Sequence, residues 1–398
     1  MNAPLISAEE ALRRVLALIE PLEVESAPLH LAAGRALAAP VVASRDQPPF
    51  AASAMDGYAV RAADARLGAT LAVIAEVAAG GRFEGAIGPG EAVRIFTGAP
   101  VPSGADTILI QEDAERAGDR LTVREAPEKG RHIRPAGGDF HAGARLEAPR
   151  RLNPAEIALA AAMNAPFLDV RRRPLVSLIA TGDELVPPGG RPGPNQIISS
   201  NNYGLAAMLE EAGAIARIDP IAADTDAALV EALDRAANAD LIVTLGGASV
   251  GDHDLVRKVF GREGLDLSFY RVAMRPGKPL MAGRVRGKPM VGLPGNPVSS
   301  MVLGHLLLRP AIAAFLGLEA GPAPRIRARL GSPLAANGPR EHYMRARLEE
   351  TPDGLVAFPF PSQDSSLLSI LAAANALVVA APGAPARGAG ETVDVIRL

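Results

Sequence analysis

The chain has 398 residues, a formal net charge of −3 and a hydrophobic content of 48%. This length is too great for one ordinary core and predicts several domains, while the hydrophobic content excludes a largely disordered protein. The absence of cysteine excludes disulfides, thiolate metal sites and a cysteine nucleophile, and the slight acidity argues against nucleic-acid binding.

Neither a targeting segment nor a membrane span is predicted. The N-terminus has no basic region before an apolar core, since Glu9 and Glu10 follow within a few residues. The two most apolar stretches, 301–320 and 367–381, are too short or are interrupted by polar residues and proline. We therefore expect a soluble, cytoplasmic protein that contacts neither membrane nor nucleic acid.

Two helices are predicted on either side of a long intervening segment. Ser7 and Glu10 are spaced as in a capping box, apolar residues recur at helical spacing from 12 to 19, and Pro21 ends the helix. Asn153 and Pro154 predict the start of a second helix, with Asn at the N-cap and Pro in the first turn. We interpret residues 1–50 and 139–173 as one discontinuous, helical linker domain.

The intervening residues, 51–138, are rich in short β-type runs that are separated by Gly and Pro turns. This pattern predicts a small β domain inserted into the linker. The predicted strands are Tyr58–Val60, Thr70–Val77, Ala92–Phe96, Thr107–Gln111 and Leu121–Arg124.

From residue 174 to 321 the pattern alternates between strands and helices, which predicts a doubly wound α/β domain with a parallel sheet. The predicted strands are Leu175–Ala180, Ala216–Ala222, Asp240–Leu245, Phe269–Met274 and Met290–Leu293. The predicted helices are Asn201–Ala212, Ala227–Ala236, one from about Asp254, and Asn296–Leu316. Residues 322–398 lack long helical periodicity and predict a C-terminal β-barrel domain. The predicted fold class is thus multidomain α/β and β.

Loops suited to anion binding follow four of the predicted strands, at 181–184, 246–254, 275–279 and 292–297. Ligands of open α/β sheets bind at the carboxyl ends of the strands, and glycine N–H groups and helix N-termini there attract phosphate. We expect Asn296 to cap the last helix, with Pro297 at its first position. These features together favour a phosphate-bearing ligand, although a glycine-rich turn alone is usually only a turn.

Charged residues in the same loops suit a polyphosphate and a divalent cation. Arg271, Arg275 and Lys278 would supply positive charge, and three acids (Glu184, Asp224, Asp254) could hold Mg²⁺. An aspartate at a helix start is more often a cap than a ligand, so the acids are weak signals singly. No histidine pair has zinc-ligand spacing and no nucleophile–base pair stands out, which is consistent with phosphoryl chemistry driven by positioning.

One family resemblance runs through nearly the whole chain. The segment Ser53-Ala54-Met55-Asp56-Gly57-Tyr58-Ala59 resembles a motif of the molybdopterin molybdenumtransferase (MoeA) family. The segments 96–106, 181–184, 246–251, 276–279 and 292–297 match further family motifs in order and approximate spacing. One such motif is weak, but the ordered set is specific.

The resemblance implies an α-helical linker domain, an inserted β domain, an α/β molybdopterin-binding domain and a C-terminal β-barrel. It implies a homodimer whose active site pairs the α/β domain of one subunit with the β domain of the other. The implied reaction inserts molybdate into adenylyl-molybdopterin with Mg²⁺, giving molybdenum cofactor and AMP. Contacts with the molybdopterin adenylyltransferase and with molybdoenzymes are further implied partners.

The resemblance also assigns roles residue by residue. The implied catalytic residues are Asp56, Asp139, Glu184, Asp254, Arg271 and Arg275. The implied substrate-binding residues are Thr97, Thr181, Gly246, Gly247, Ser249, Gly251, Lys278, Pro294, Asn296 and Pro297. The implied metal ligands are Glu184, Asp224 and Asp254.

Several positions depart from the family pattern. Arg271 and Arg275 stand where other members carry Lys, Gly138 stands for Glu, and Ser199 stands for Asp. Two alternative functions remain open at this point. One is a scaffold protein without turnover, against which the retained acids argue; the other is an enzyme for tungstate, which resembles molybdate in size and charge.

Overall fold

The computed structural model describes residues 5–246 and 255–398. The first helix, α1, spans Ala8–Leu16 and has Ser7 at its N-cap, where the Ser7 hydroxyl accepts from the Glu10 N–H at 3.1 Å. The predicted capping box is only half formed. The Glu10 carboxylate accepts instead from the guanidinium groups of Arg13 and Arg14, at 2.7 and 2.5 Å.

The linker region consists of α1, helix α2 and a small antiparallel sheet. Helix α2 spans Pro154–Ala162 and begins with the full capping box of Asn153 and Glu156. In order across the sheet, the strands are Val24–Pro28, Phe167–Arg171, Ala36–Leu37 and Arg150–Arg151. Strands from before residue 50 thus pair with strands from after residue 139, as expected if the segment between them is an insertion. This sheet was not predicted from the sequence, because its strands have only two to five residues.

The intervening segment contains a six-stranded sheet, which has the five predicted strands and one more, Ala114–Ala117. In spatial order the strands are Thr107–Ile110, Gly57–Val60, Glu91–Ile95, Thr70–Val77, Arg120–Val123 and Ala114–Ala117. All pairings are antiparallel except that between Thr70–Val77 and Glu91–Ile95. A two-residue ribbon, Ala52–Ser53 with Ile133–Arg134, joins the two ends of the segment.

The α/β domain is built on a six-stranded sheet whose strands we label β1 to β6 in chain order. They are β1 (Leu175–Ala180), β2 (Ile215–Ile218), β3 (Leu241–Leu245), β4 (Asp266–Tyr270), β5 (Met281–Val285) and β6 (Lys288–Leu293). The order across the sheet is β2-β1-β3-β6-β5-β4. The four strands β2, β1, β3 and β6 are mutually parallel, whereas β5 runs antiparallel to both of its neighbours. The expectation of an all-parallel sheet is therefore wrong for one edge.

The predicted strand Phe269–Met274 is wrong in extent. Strand β4 ends at Tyr270, and Arg271 has a φ of 82°, a left-handed conformation that cannot continue a strand. The next residues form a hairpin connection to β5, which the sequence analysis missed. Within that connection Met274–Arg275 forms a short strand that pairs with the C-terminal domain rather than with the α/β sheet.

Within the described part of the α/β domain, five helical segments flank the sheet. They are α3 (Asn201–Glu211), α4 (Asp226–Arg235), α5 (Leu255–Arg262), α6 (Pro297–Leu303) and α7 (Arg309–Phe315). A π-helical turn, Gly304–Leu308, joins α6 to α7 just before Pro310, which has no N–H for a regular helical bond. The continuous stretch Pro297–Phe315 is long and apolar enough to cross a membrane, but 72% of it is buried inside the protein, as in a core helix.

The C-terminal domain is the expected barrel. Its strands are Ile326–Leu330, Glu341–Thr351, Gly354–Pro359, Ala376–Ala380 and Thr392–Arg397, and helix α8 spans Leu368–Ala373. The barrel closes because Glu341–Thr351 pairs with both Gly354–Pro359 and Ala376–Ala380. One hydrophobic cluster includes Val15 of α1, Leu178 of β1 and Tyr343 and Leu377 of the barrel. Helix α1, the α/β domain and the barrel therefore share a core.

We predict that Gly57→Ala destabilises the inserted domain by about 1–3 kcal/mol, the usual cost of overpacking. A Cβ at Gly57 would overlap the Leu109 carbonyl oxygen and lie 2.9 Å from the Ile110 Cα, because the two strands pack closely there. Urea unfolding followed by circular dichroism measures the change. The matched control is Gly338→Ala, where a Cβ meets open space and stability should be unaltered; equal stability of both variants would contradict the prediction.

Candidate functional site

A cavity with a volume of about 820 Å³ lies at the carboxyl edge of the parallel strands. Among the described residues, its wall contains seven that the sequence analysis proposed: Thr181, Glu184, Asp224, Gly246, Pro294, Asn296 and Pro297. Gly247, Ser249, Gly251 and Asp254, which were also proposed, lie outside the described residues. The position agrees with the general rule for ligand sites in open α/β sheets.

Backbone hydrogen bonds hold the strand ends in place. The Thr181 N–H donates to the Leu245 carbonyl at 3.0 Å, and the Gly246 N–H donates to the Leu293 carbonyl at 3.2 Å. Gly246 has a φ of 93°, and a Cβ there would lie 2.7 Å from the Thr181 carbonyl oxygen. Only glycine satisfies both conditions, so this residue lets the ends of β1 and β3 approach each other.

Two helix N-termini border the cavity. Helix α3 begins after Ser200 and α6 begins after Asn296, and the Asn201 side chain joins them by donating to the Gly295 carbonyl at 2.7 Å. Pro297 occupies the first turn of α6, as predicted. Asn296 occupies the predicted N-cap position, but its side chain makes no capping hydrogen bond, and its amide donates to the Ser365 hydroxyl at 3.1 Å instead. The dipoles of the two helices create positive potential that favours an anionic ligand.

Negatively charged side chains lie close together near Glu184. The Asp224 N–H donates to the Asp183 carboxylate at 3.1 Å, and Glu184 and Asp224 both line the cavity. Partial burial, together with the nearby carboxylates of Asp183 and Glu184, raises the pKa of Asp224. The described ranges contain no group of three acidic, His or Cys side chains arranged to hold a metal. These carboxylates nevertheless suit a divalent cation. A bound cation would offset their mutual repulsion and so favour their ionised forms.

The inserted domain brings two of its proposed residues together. Asp56 accepts from both the N–H and the hydroxyl of Thr97, each at 2.8 Å. These two bonds lower the pKa of Asp56 and keep it a carboxylate. Asp139 is exposed, and its N–H donates to the Gln47 carbonyl at 2.9 Å. None of the three is among the described residues that line the cavity of their own chain.

The three proposed basic residues also lie beyond the described wall of the cavity. The Arg271 guanidinium lies 5.3 Å from the centre of the Tyr270 ring, and the Arg257 guanidinium lies 4.9 Å from the same centre. Arg275 pairs in register with His342 of the barrel. Burial and the charge of Arg275 lower the pKa of His342 to about 4, so that this histidine is neutral at physiological pH. Lys278 accepts a hydrogen bond at its carbonyl from the Val272 N–H at 3.3 Å.

Several residues in the wall were not proposed from the sequence. Ser199, Ser200 and Asn201 lie before and within the first turn of α3, and Lys258 lies on α5. The helix start at Asn201 was predicted, so its position on the edge of the sheet could have indicated the first three. Lys258 carries no sequence signal, because an exposed lysine on a helix is ordinary.

A loop from the barrel reaches the same site. Ser365 accepts at its carbonyl from the Val298 N–H at 3.1 Å and at its hydroxyl from Asn296. The buried side chain of Arg345 holds this loop by donating to the carbonyls of Leu367, at 3.1 Å, and Ser362, at 3.4 Å. The barrel thus helps to fix the start of α6.

We predict that Glu184→Gln lowers the pKa of Asp224, because removing a neighbouring negative charge favours the ionised form. Carboxyl-carbon NMR titration measures the midpoint, with the resonance assigned by its loss in Asp224→Asn. The control is Glu231→Gln, which removes an exposed acid paired with Arg235 on α4. An unchanged or higher midpoint in the Glu184 variant would show that the two carboxylates do not interact.

Three family models match the chain in succession. They are described as the MoeA N-terminal region (domain I and II), over residues 6–164, a probable molybdopterin binding domain, over 177–314, and the MoeA C-terminal region (domain IV), over 327–398. These matches agree with the family resemblance seen in the sequence motifs.

Similar proteins cover the chain from end to end. A molybdopterin molybdenumtransferase of Nostoc sp. is 37% identical, over 99% of this chain and 94% of the relative. A molybdopterin molybdenumtransferase 2 of Mycobacterium tuberculosis is 38% identical, over 94% of each chain. The crystal structure of the molybdopterin biosynthesis MoeA protein of Pyrococcus horikoshii superposes with a TM-score of 0.84 at 30% identity, covering 99% of both chains. On these grounds the chain belongs to the MoeA family of molybdopterin molybdenumtransferases.

Proposed function

We propose that the protein inserts molybdate into adenylyl-molybdopterin, with release of AMP and formation of molybdenum cofactor. The observation that carries this proposal is the cavity of about 820 Å³ at the carboxyl edge, bordered by two helix N-termini and by acidic side chains. Such a cavity can hold a nucleotide-sized anion and a cation together. The names of the full-length relatives supply the reaction class.

Different residues of the cavity would bind the anionic substrate and the cation. The dipoles of α3 and α6 would favour the anionic oxygens of the substrate, because the starts of both helices border the cavity. Ser200 and Asn201 would add neutral hydrogen-bond donors beside them. The reaction breaks the phosphorus–oxygen bond between AMP and the molybdopterin phosphate, so its main demand is the stabilisation of charge on phosphate oxygens.

Magnesium is the cation that we propose for this site. Glu184 and Asp224 would hold it, with Asp254 as a further ligand proposed from the sequence. When bound, Mg²⁺ would neutralise charge on the phosphate oxygens. The raised pKa of Asp224 predicts that cation binding weakens as the pH falls through that pKa, at a higher pH than for an ordinary aspartate.

We also propose that the working form is a homodimer in which Asp56, Thr97 and Asp139 complete the site of the partner subunit. In support, these residues are absent from the described wall of their own chain's cavity, although Asp56 is held as a carboxylate by Thr97. A cytoplasmic location and contacts with the molybdopterin adenylyltransferase and with molybdoenzymes fit the same function.

Incubation with adenylyl-molybdopterin, molybdate and Mg²⁺ should release AMP, measured by chromatography. We expect Glu184→Gln to lower this rate on the order of a hundredfold, the scale for losing one key electrostatic contact, while Glu231→Gln stays active. Unaltered binding of the pterin substrate without any AMP release by the native protein would favour a scaffold role. Parallel assays with tungstate test the alternative oxyanion.

A subunit-mixing experiment tests the shared site. Homodimers of Asp56→Ala and of Glu184→Gln should both release AMP much more slowly than the native protein, but a mixed dimer has one site with both residues intact and should release AMP faster than either. The control is each variant mixed with itself under the same unfolding and reassembly conditions. If the mixed dimers are as inactive as the parents, each site is built from one chain.

A further inference from the structure

The cavity has an uneven charge distribution. Among the lining residues that the structure describes, Glu184 and Asp224 are acidic and Lys258 is the one lysine or arginine. Lys258 lies on α5 and its side chain is exposed. The basic residues proposed from the sequence, Arg271, Arg275 and Lys278, are outside this described wall.

An anionic substrate in this cavity must overcome the repulsion of the two carboxylates. Helix N-termini contribute only partial positive charge, about half an elementary charge each. A lysine ammonium adds a full charge and three donors on a flexible stem, which lets it follow a phosphate during binding and release. Lys258 supplies such an ammonium in the described wall of the cavity.

We propose that Lys258 binds the phosphate of the adenylyl group and thereby holds the nucleotide part of the substrate. This inference rests on the proposed function. The phosphate is favoured over molybdate because the cavity of about 820 Å³ suits a nucleotide, and because Lys258 shares its wall with the two helix N-termini. Lys258 is therefore a binding residue for the leaving nucleotide rather than part of the metal site.

Calorimetric titration of the full-length protein with AMP, adenosine and molybdate tests the assignment. Lys258→Gln should weaken AMP binding about tenfold, the loss expected for one charge-assisted hydrogen bond. Lys258→Arg should retain most of the affinity. Adenosine, which has no phosphate, and molybdate should bind both variants as they bind the native protein. Gln and Lys have similar helix propensities and the side chain is exposed, so the fold should persist.

The matched control is Arg262→Gln, which removes the same charge from the same helix. Arg262 pairs with Asp226 at 2.6 Å, is 63% exposed and is absent from the described wall of the cavity. Its AMP affinity should equal that of the native protein. A similar loss of AMP affinity in both variants would mean that the effect comes from the net charge of the protein and not from contact with Lys258. That result would overturn the proposal.

Kinetics separate this inference from the proposed function. In the AMP-release assay, Lys258→Gln should raise KM about tenfold with little change in kcat, as expected for uniform binding. Equal AMP affinity in Lys258→Gln and native protein, selective loss of molybdate binding, or a native protein that binds no AMP would each overturn the assignment. A native protein that binds AMP through Lys258 but shows no turnover would instead contradict the proposed reaction alone.

Discussion

The parallel alignment of β2, β1, β3 and β6 is the constraint on which the site depends. It brings the loops that follow these strands to one edge, where the Thr181 and Gly246 N–H groups donate to the ends of neighbouring strands. The close approach of β1 and β3 leaves no space for a side chain at Gly246. Because backbone bonds fix these positions, the loops present donors to a ligand without first being ordered by it.

The cavity contains two electrostatic environments, and each of them is unfavourable when no ligand is bound. Partial burial, and after it the repulsion of the Asp183 and Glu184 carboxylates, raises the pKa of Asp224. The starts of α3 and α6 attract anions on another part of the wall. An anion and a cation bound together would satisfy both, which explains why one cavity carries both signs of charge.

Much of the architecture could be predicted because hydrophobic periodicity is local. Strand β1 and the strand Thr70–Val77 have the predicted bounds, and α2 has the predicted cap. The antiparallel edge could not be predicted, because the left-handed turn at Arg271 has no distinctive residue and Met274–Arg275 pairs with a domain distant in sequence. The place of Lys258 in the cavity also depends on tertiary structure alone.

The sequence motifs predicted which loops meet at the sheet edge but not what each side chain does there. Asn296 shows the difference: an Asn-Pro pair normally indicates an N-cap, yet its amide donates to Ser365 of another domain. A local preference gave way to a tertiary contact, because the barrel loop brings a hydroxyl oxygen within reach. Such contacts lie beyond any reading of neighbouring residues in the chain.

The loop that Arg345 holds has a consequence for how far this chain is modular. Ser365 bonds to the start of α6, and the shared hydrophobic cluster continues from the α/β domain into the barrel. The barrel is thus not an independent domain that could be exchanged on its own between relatives. A functional chimera would have to inherit the loop, its buried arginine and the apolar contacts with α1 as one unit, so substitutions in these three places constrain one another.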